Sequence, residues 1–223
     1  MKKRVLLLAV SCKHGGLCPG GIDLDNQSQW IRIVRDDGCA GAVQGREIDF
    51  ANPLDIIEFD GRPMPQGKQK ENWVIDNNSC VNKGRARLKN GDETDKGILD
   101  YVYKNYSYHG FWNNHRAYLN EDEFEQVTAP SESILRVSNV RIYMRIYENG
   151  FKKAKIDFDW SGAQYRISGI SMTDPNFYNK TDNGDITFDN AYIVISIPKE
   201  CEWGNPYIGK KQAYKFVSKV FEI

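Results

Sequence analysis

Hydrophobic and polar residues alternate most regularly over residues 140–147. Every second position from Val140 to Ile146 is apolar, and arginines and tyrosines fill the positions between them. A period of two is typical of a β-strand with one buried face. Asn149-Gly150 follows, which is the strongest short signal for a hairpin turn, and the alternation resumes over 152–158. We therefore predict a β-hairpin with one apolar face and one basic, aromatic face.

Further apolar runs predict strands on both sides of a helical middle. The runs 4–10, 30–35 and 54–60 precede it, and 165–171, 191–197 and 213–221 follow the hairpin. In the middle, Ile98, Leu99 and Val102 form a helical stripe, and Asn120 with Glu123 matches a capping box. We expect the aromatic residues of this region to pack rather than to recognise a ligand.

The strand count predicts the fold class. Five strands within about 90 residues at the end of the chain suit an OB-type barrel, although small sandwiches share that count. We predict a mainly β protein of two OB-like small barrels with a helical insertion or bridge between them. The expected boundaries are 1–82 for the first barrel, 83–130 for the helical region and 131–223 for the second barrel.

A glycine-rich segment follows the first strand, Ser11-Cys-Lys-His-Gly-Gly-Leu-Cys-Pro-Gly-Gly21. Glycine is entropically costly in a strand and proline removes a donor, so we predict a loop. Its backbone N–H groups can form an anion-binding nest, but the Gly-Lys-Ser/Thr ending of a P-loop is absent. The alternative is a tight strand connection with no ligand. The candidate ligand-binding residues here are Ser11, Lys13, His14, Gly15 and Gly16.

The thiols of this segment allow two other interpretations. Cys12, His14 and Cys18, with Cys39 as a fourth ligand, suggest zinc, but structural zinc sites normally have paired ligands at regular short spacings. The same residues suggest a Cys–His nucleophile, for which no orienting residue is identifiable. We predict ordinary loop or buried thiols, no bound metal, no cofactor and no catalytic residue.

Two further segments supply candidate ligand contacts in the first barrel. Trp30 and Arg32 share one strand face, where an aromatic ring and a guanidinium suit a stacked base or a phosphate. We expect Trp30 to pack and Arg32 to bind. Gln69, Glu71 and Asn72 offer amide and carboxylate groups able to read a base edge, unless they form only a polar surface loop.

The polar face of the predicted hairpin is the candidate nucleic-acid face. Rings stack on bases and cations bind phosphates on such surfaces, although a solvated sheet face explains the same residues. A second basic cluster, spread over 83–89, is expected to be solvated. The residues of the candidate nucleic-acid face are Arg141, Tyr143, Arg145, Tyr147, Lys153 and Lys155.

Several separated stretches together resemble a known family. They are the glycine-rich segment followed by Trp30-Ile-Arg-Ile-Val34, then Gln69-Lys-Glu-Asn-Trp73, Gln164-Tyr-Arg-Ile-Ser168 leading to Met172-Thr-Asp-Pro175, Ala191–Ile197 and Tyr214-Lys-Phe-Val217. In this order they resemble the bacterial dual OB-containing domain family. The resemblance implies two OB-like barrels and a role in binding nucleic acid or nucleotide-like ligands, often in bacterial conflict systems.

Composition narrows the functional classes. The formal net charge is zero, which argues against a general polyanion binder but leaves room for a local basic face. No apolar run approaches the roughly 18 residues of a membrane span, and Val5–Val10 is shorter than a signal-peptide core. Five cysteines at irregular spacing fit reduced thiols. We therefore expect a cytoplasmic protein with no membrane partner.

These observations favour a non-catalytic binding module for nucleic acid or a nucleotide-like ligand, with a bacterial defence system as the implied setting. One alternative is an enzyme that uses the Cys12/His14/Cys18 segment on a nucleotide-like substrate. Another is a protein-interaction subunit whose partners are other defence-system proteins.

Overall fold

A computed structural model describes residues 1–13, 16–26, 29–36, 42–44, 47–48, 50–107, 111–160, 165–178, 184–203 and 211–223. The chain divides into two compact units, Met1–Ser107 and Tyr108–Ile223.

The first unit is built around a closed circuit of five strands. Its elements are β1 (Lys2–Lys13), β2 (Gly16–Asp23), β3 (Trp30–Val34), β4 (Asp55–Pro63), β5 (Asn72–Ile75), β6 (Val81–Arg85) and the helix α1 (Asp95–Tyr106). The hydrogen-bonded order is β1-β2-β3-β5-β4-β6, and β1 also pairs with β4. This last pairing closes the circuit β1-β2-β3-β5-β4, with β6 attached at its edge. Only β3 and β5 run parallel within it.

Alternate residues of these strands form the core of the first unit. The buried side chains include Val5 and Leu7 of β1, Ile31 and Ile33 of β3, and Phe59 of β4. The register of β1 against β2 shifts between Leu7 and Ala9. Such a bulge bends a strand, which lets one long strand pair on both sides of a small barrel.

The helix α1 follows the barrel strands of the first unit. Thr94 caps it, since its side chain accepts a hydrogen bond from Gly97 N at 3.1 Å. The stripe Ile98, Leu99 and Val102 is fully buried, as the sequence predicts. At the other end of α1, the indole Nε1 of Trp30 donates to Tyr106 O at 3.1 Å. Trp30 is therefore a packing residue.

The second unit contains a closed five-stranded barrel with the same connectivity. Its barrel strands are β8 (Glu132–Ile146), β9 (Lys152–Trp160), β10 (Arg166–Met172), β11 (Ile186–Ser196) and β14 (Phe216–Glu222), in the order β10-β14-β11-β8-β9. The pairing of β10 with β14 is the parallel one. A small sheet, β12-β13-β7, is formed by β7 (Tyr118–Asn120), β12 (Glu202–Trp203) and β13 (Lys211–Tyr214). The short helices are α2 (Glu121–Glu125) and α3 (Pro175–Tyr178).

The long strand β8 bends so that it pairs with both β9 and β11. Its register against β9 shifts between Ser138 and Arg141, and Asn139 there has a φ of 50°. Asn139 also donates from Nδ2 to Asp159 at 2.7 Å. Asparagine is one of the few residues that tolerate the left-handed region, so this position suits it. The bend corresponds to the bulge in β1 of the first circuit.

The structure confirms the mainly β fold class, and the helical contribution is smaller than predicted. Residues 83–130 contain α1, a single 3₁₀ turn at Phe111–Asn113 and the five-residue helix α2. The boundary between the compact units falls within this stretch, after Ser107. In α2 the side chain of Glu123 accepts a hydrogen bond from Asn120 N at 2.9 Å, as the capping-box pattern predicts.

The prediction that Ser11–Gly21 is a loop is wrong for most of the segment. Ser11–Lys13 completes β1, and residues from Gly16 onward begin β2. Gly21 allows this because a Cβ there would lie 2.1 Å from Leu6 O, so only glycine permits this close pairing. Pro19 lies just outside the part of β2 that pairs with β3, where its missing N–H removes no ladder bond.

Candidate functional site

A row of paired residues crosses the first barrel at the predicted site. Arg32 of β3 lies opposite Gly20 of β2 and beside Asn72 of the parallel strand β5. Arg32 N donates to Glu71 O at 3.0 Å. Ile31 and Ile33 face the core, so the pleat directs Arg32 to the outer face, and its pair partner Asn72 shares that face. We name this the Arg32 row: Gly20, Arg32 and Asn72.

Asn72 is the most unusual member of the Arg32 row. The residue is 1% exposed, and neither Oδ1 nor Nδ2 has a hydrogen-bond partner among the described residues. A buried amide without partners costs stability, and such groups are rare in native proteins. Its side chain offers one donor group and one acceptor group, the pair that an amide or a base edge complements.

The segment between β4 and β5 contains the other predicted polar residues of the first barrel. Gln66 and Gln69 exchange backbone hydrogen bonds of 3.0 and 2.8 Å, and Met64 N donates to Asn72 O at 2.8 Å. These bonds fix the backbone immediately before β5. Gln69 is buried, and the carbonyl oxygen of Glu71 accepts the hydrogen bond from Arg32 N of β3. The structure therefore places Glu71 and Asn72 next to Arg32.

The glycine hairpin contributes less than the sequence suggested. Ser11 lies opposite Cys18, on the same outer face as Gly20 two residues further along β2. Gly16 has a packing role, because a Cβ there would lie 2.7 Å from Ala42 Cβ. Lys13 pairs with Gly16 through the strand. His14, Gly15 and the side chain of Lys13 lie outside the described residues.

The thiols of this hairpin point to different faces. Cys12 pairs with Leu17, whereas Cys18 pairs with Ser11, and residues one pair apart in a ladder lie on opposite faces. Within the described ranges, no group of three or more His, Cys, Asp or Glu residues could hold a metal ion. His14 and Cys39 lie outside those ranges.

A corresponding row crosses the outer face of the second barrel. Tyr143 of β8 pairs with Lys155 of β9, Lys155 with Ser171 of β10, and Ser171 with Phe216 of β14. Ser171 and Phe216 are a parallel pair, as Arg32 and Asn72 are in the first barrel. We name this the Lys155 row: Tyr143, Lys155, Ser171 and Phe216.

Lys155 is the buried cation of its row and is 8% exposed. Its Nζ donates to Gly169 O and to Ser171 Oγ, both at 3.0 Å. Burial, followed by the positive charges of Lys153 and Arg145, lowers the pKa of Lys155 to about 8. The charges that perturb this lysine are therefore cations.

Two like charges stand opposite each other beside the Lys155 row. Arg145 of β8 pairs directly with Lys153 of β9. The Arg145 guanidinium carbon lies 5.1 Å from the centre of the Tyr147 ring, and Lys153 Nζ lies 5.8 Å from that of Phe216. Neither cation forms a salt bridge within the part of the chain that the structure describes. Like charges directly opposite each other destabilise a sheet.

The remaining predicted residues of this face differ in how far contacts within the protein already engage their side chains. Arg141 is neutralised, because its Nε donates to Asp185 at 2.6 Å. The hydroxyl of Tyr143 donates to Asp157 at 3.3 Å, so its ring is fixed on the sheet. Tyr147 packs against Phe151 with ring centres 5.9 Å apart, and Phe151 is 57% exposed.

Sequence reasoning missed three members of this face. Phe151 follows the Asn149-Gly150 turn and resumes the alternation, so it could have been assigned to the tip of the hairpin. Ser171 and Phe216 carry no comparable signal. They join the face only through the pairing of β10 with β9 and β14, which local sequence does not reveal.

Comparison with known proteins identifies the family of this chain. The family model described as the dual OB-containing domain matches residues 3–220. The chain belongs to this family. Neither the curated proteins nor the solved structures gave a match. The resemblance noted in the sequence is thereby confirmed, and the two five-strand circuits correspond to the two OB folds of a dual OB-containing domain.

The OB fold gives the two rows a common location. OB folds bind ligands on the face of strands 2 and 3 and on the loops that follow strands 1 and 4. In the first barrel of this dual OB-containing domain, these are β2, β3, the hairpin after Lys13 and the 64–71 segment. In the second they are β9, β10, the Asn149-Gly150 turn and the segment after Ser196. Both rows therefore cross an OB ligand face.

No helix among the described residues is long and apolar enough to span a membrane.

Proposed function

We propose that this dual OB-containing domain binds single-stranded nucleic acid, and that the outer face around the Lys155 row contacts the strand. The main support is the cross-strand pair of Arg145 and Lys153. Two unneutralised cations opposite each other cost free energy in the unbound protein, and a phosphate between them removes that cost.

The charge on this face is local, which fits a binding groove better than a general basic surface. The net charge of the chain is zero, yet Arg145, Lys153 and Lys155 lie together without a salt bridge among the described residues. Arg141, further along β8, is already paired with Asp185 and contributes little. The phosphate-binding part of the face is therefore the end near the Asn149-Gly150 turn.

Aromatic rings flank these cations on both sides. Tyr147 and Phe151 lie at the hairpin tip, and Phe216 lies across the sheet next to Ser171. Successive bases stack on such rings with little sequence preference, at about 1–3 kcal/mol per base. Cations between rings are the arrangement expected for a strand whose phosphates and bases alternate along its length.

The Arg32 row supports a second contact for a base or a nucleotide-like ligand in the first barrel. The specific observation is the unpartnered amide of Asn72. Arg32 beside it provides a cation on the same face. A role in bacterial defence, defence-system protein partners and a cytoplasmic location remain predictions of the sequence and its resemblance.

Fluorescence anisotropy tests the proposed function directly. Labelled oligo(dT) and oligo(rU) of about 15 nucleotides are titrated with the full chain at about 20 mM salt, where electrostatic affinity is greatest. We expect saturable binding of at least one oligonucleotide. We also expect log K to fall with log salt at a slope of about −2, the value for three phosphate contacts on a single strand.

Two matched variants locate the surface. Arg145→Ala combined with Lys153→Ala should weaken binding at least about tenfold, because two phosphate contacts are lost. Arg136→Ala removes an exposed cation from the same strand, nine positions earlier, and should leave affinity nearly unchanged. Absence of binding to both oligonucleotides at low salt overturns the proposed function. Equal affinity of the double variant and the wild type overturns the assigned surface.

A further inference from the structure

A second row of paired residues in the first unit is apolar rather than charged. Trp30 pairs with Ile22, Ile22 with Leu6, and Leu6 with Ile56, which crosses β3, β2, β1 and β4. The neighbours Val5, Leu7 and Ile57 point into the core, so this row lies on the opposite, outer face. Four apolar residues in a row on an outer face favour packing against another part of the chain that shields them from water.

Residues 86–90 and the helix α1 lie over this row, and a cavity remains between them and the strands. The cavity has a volume of about 560 Å³, and Leu6, Ile22 and Ile56 line one side. Ile98 and Tyr101 of α1, together with residues 86–90, line the other. Small-molecule pockets in proteins typically measure about 300–1,000 Å³ and are mainly apolar with few polar groups. The cavity has the size and the lining of such a pocket.

The polar groups of the lining are cationic or neutral. Lys89 and Arg87 belong to it, and no lining residue is a carboxylate. Arg87 is paired with Glu93. Lys89 has no carboxylate partner within the described part of the chain, so its charge is available. The sequence had suggested only a solvated basic segment here.

Two tyrosines complete the polar lining. The rings of Tyr101 and Tyr106 meet edge to face with centres 6.1 Å apart. Burial, followed by the hydrogen bond with Tyr101, raises the pKa of Tyr106 to about 12. The Tyr106 hydroxyl is thus half-buried at the cavity and hydrogen-bonded with Tyr101.

We propose that this cavity binds a small organic carboxylate with an apolar body. The apolar part of the ligand packs against Leu6, Ile22 and Ile56, and its carboxylate lies towards Lys89. This inference is independent of nucleic-acid binding, since the cavity is formed within the first unit and shares no residue with either the Lys155 row or the Arg32 row.

Fluorescent probes test the cavity in the full chain. The aromatic sulfonate ANS gains fluorescence in apolar sites and carries the required negative charge, whereas N-phenyl-1-naphthylamine has a similar body without the charge. We expect saturable one-to-one binding of ANS that is tighter than that of the neutral probe. Decanoate and 1-naphthoate then serve as competitors, and displacement by one or both distinguishes an aliphatic body from an aromatic one.

Variants connect the probe to these residues. Ile56→Trp fills the cavity and should weaken ANS binding at least about tenfold. Lys89→Gln should weaken it about three- to fivefold, as expected for an exposed charge. Lys83→Gln is the matched control, because Lys83 is paired with Glu58 and does not line the cavity. Circular dichroism spectra and thermal midpoints verify that each variant is folded.

Three outcomes overturn the proposal. The first is ANS binding that does not saturate, or that is equally tight in folded Ile56→Trp. The second is equal affinity for the charged and neutral probes. The third is failure of both carboxylates to displace ANS. Loss of oligonucleotide binding with retained ANS binding would refute the proposed function alone and leave the cavity assignment intact.

Discussion

Arg32 and Asn72 lie side by side on the parallel strands β3 and β5, facing the same side of the first barrel. Arg32 contributes a charge, and Asn72 contributes a buried amide that has no hydrogen-bond partner in the part of the chain that the structure describes. In the second barrel the equivalent parallel pair is Ser171 and Phe216, beside Lys155. The same position in the two OB circuits thus contains different chemistry.

Replacing the buried amide of Asn72 is predicted to have opposite effects on stability and on ligand affinity. Asn72→Leu removes a buried polar group that has no partner, so we expect the free energy of unfolding to rise by about 1 kcal/mol. Affinity for a base-containing ligand should fall in the same variant. Urea unfolding and anisotropy titrations measure the two effects.

Asn82→Leu is the matched control for Asn72. The Asn82 Nδ2 donates to Asp55 at 2.9 Å and to Phe50 O at 3.2 Å, so its replacement should cost about 1–2 kcal/mol. A loss of stability in Asn72→Leu as large as that in Asn82→Leu would contradict the argument.

Local patterns predicted the strands, and pairing between distant strands determined the site. The period of two over 140–147 and the Asn149-Gly150 signal require only neighbouring residues, so the hairpin was predictable. The neutralisation of Arg141 by Asp185 was not, because the two residues are 44 positions apart. The glycine-rich segment was assigned wrongly for a similar reason. Its strand conformation depends on how closely Gly21 approaches Leu6 of the neighbouring strand.

Gly21 provides a direct test of that close approach. A Cβ at this position would lie 2.1 Å from Leu6 O, which is backbone and cannot move aside without disturbing β1. We expect Gly21→Ala to destabilise the protein by about 3 kcal/mol, as strained overpacking does. Gly84→Ala is the comparison, since its Cβ would meet no atom within 4 Å and only its φ of 89° is unfavourable. It should cost about 1 kcal/mol. Equal losses of stability in urea unfolding would argue against the close approach.

Lys155 predicts a pH dependence of oligonucleotide binding. Its pKa in the free protein is lowered to about 8 by burial and by the nearby cations, and a bound phosphate would raise it. The binding contribution is therefore complete below about pH 8 and is lost as the pH rises through and above that value. Anisotropy titrations between about pH 7 and pH 10 measure this loss.

Lys155→Arg is the control for this titration, because a guanidinium keeps its charge over the whole range. Its affinity should change less with pH than that of the wild type. If the two proteins show the same pH dependence, Lys155 does not contact the ligand as a cation.

Lys215 predicts a pH dependence of stability that is separate from binding. The residue is 1% exposed, and its Nζ donates to Asn114 Oδ1 at 2.8 Å and to Phe111 O at 3.0 Å. Burial lowers the pKa of Lys215 from 10.5 to about 7. Between these two values the unfolded chain binds more protons than the folded protein, so the free energy of unfolding rises with pH. Below about pH 7 both states are protonated, and the contribution no longer changes.

Urea unfolding at several values between pH 6 and pH 10 measures this slope, which a single group limits to about 1.4 kcal/mol per pH unit. Lys215→Met removes the titrating group and keeps an unbranched apolar chain of similar length. Stability of the variant should be lower because the Phe111 and Asn114 acceptors lose their donor, and it should rise less steeply with pH. The slope difference isolates Lys215 from the other titrating groups, including Lys155, because these are present in both proteins. Parallel curves for the two proteins would show that Lys215 keeps its proton over this range, held by its hydrogen bonds and by the Phe111 ring 3.7 Å from Nζ.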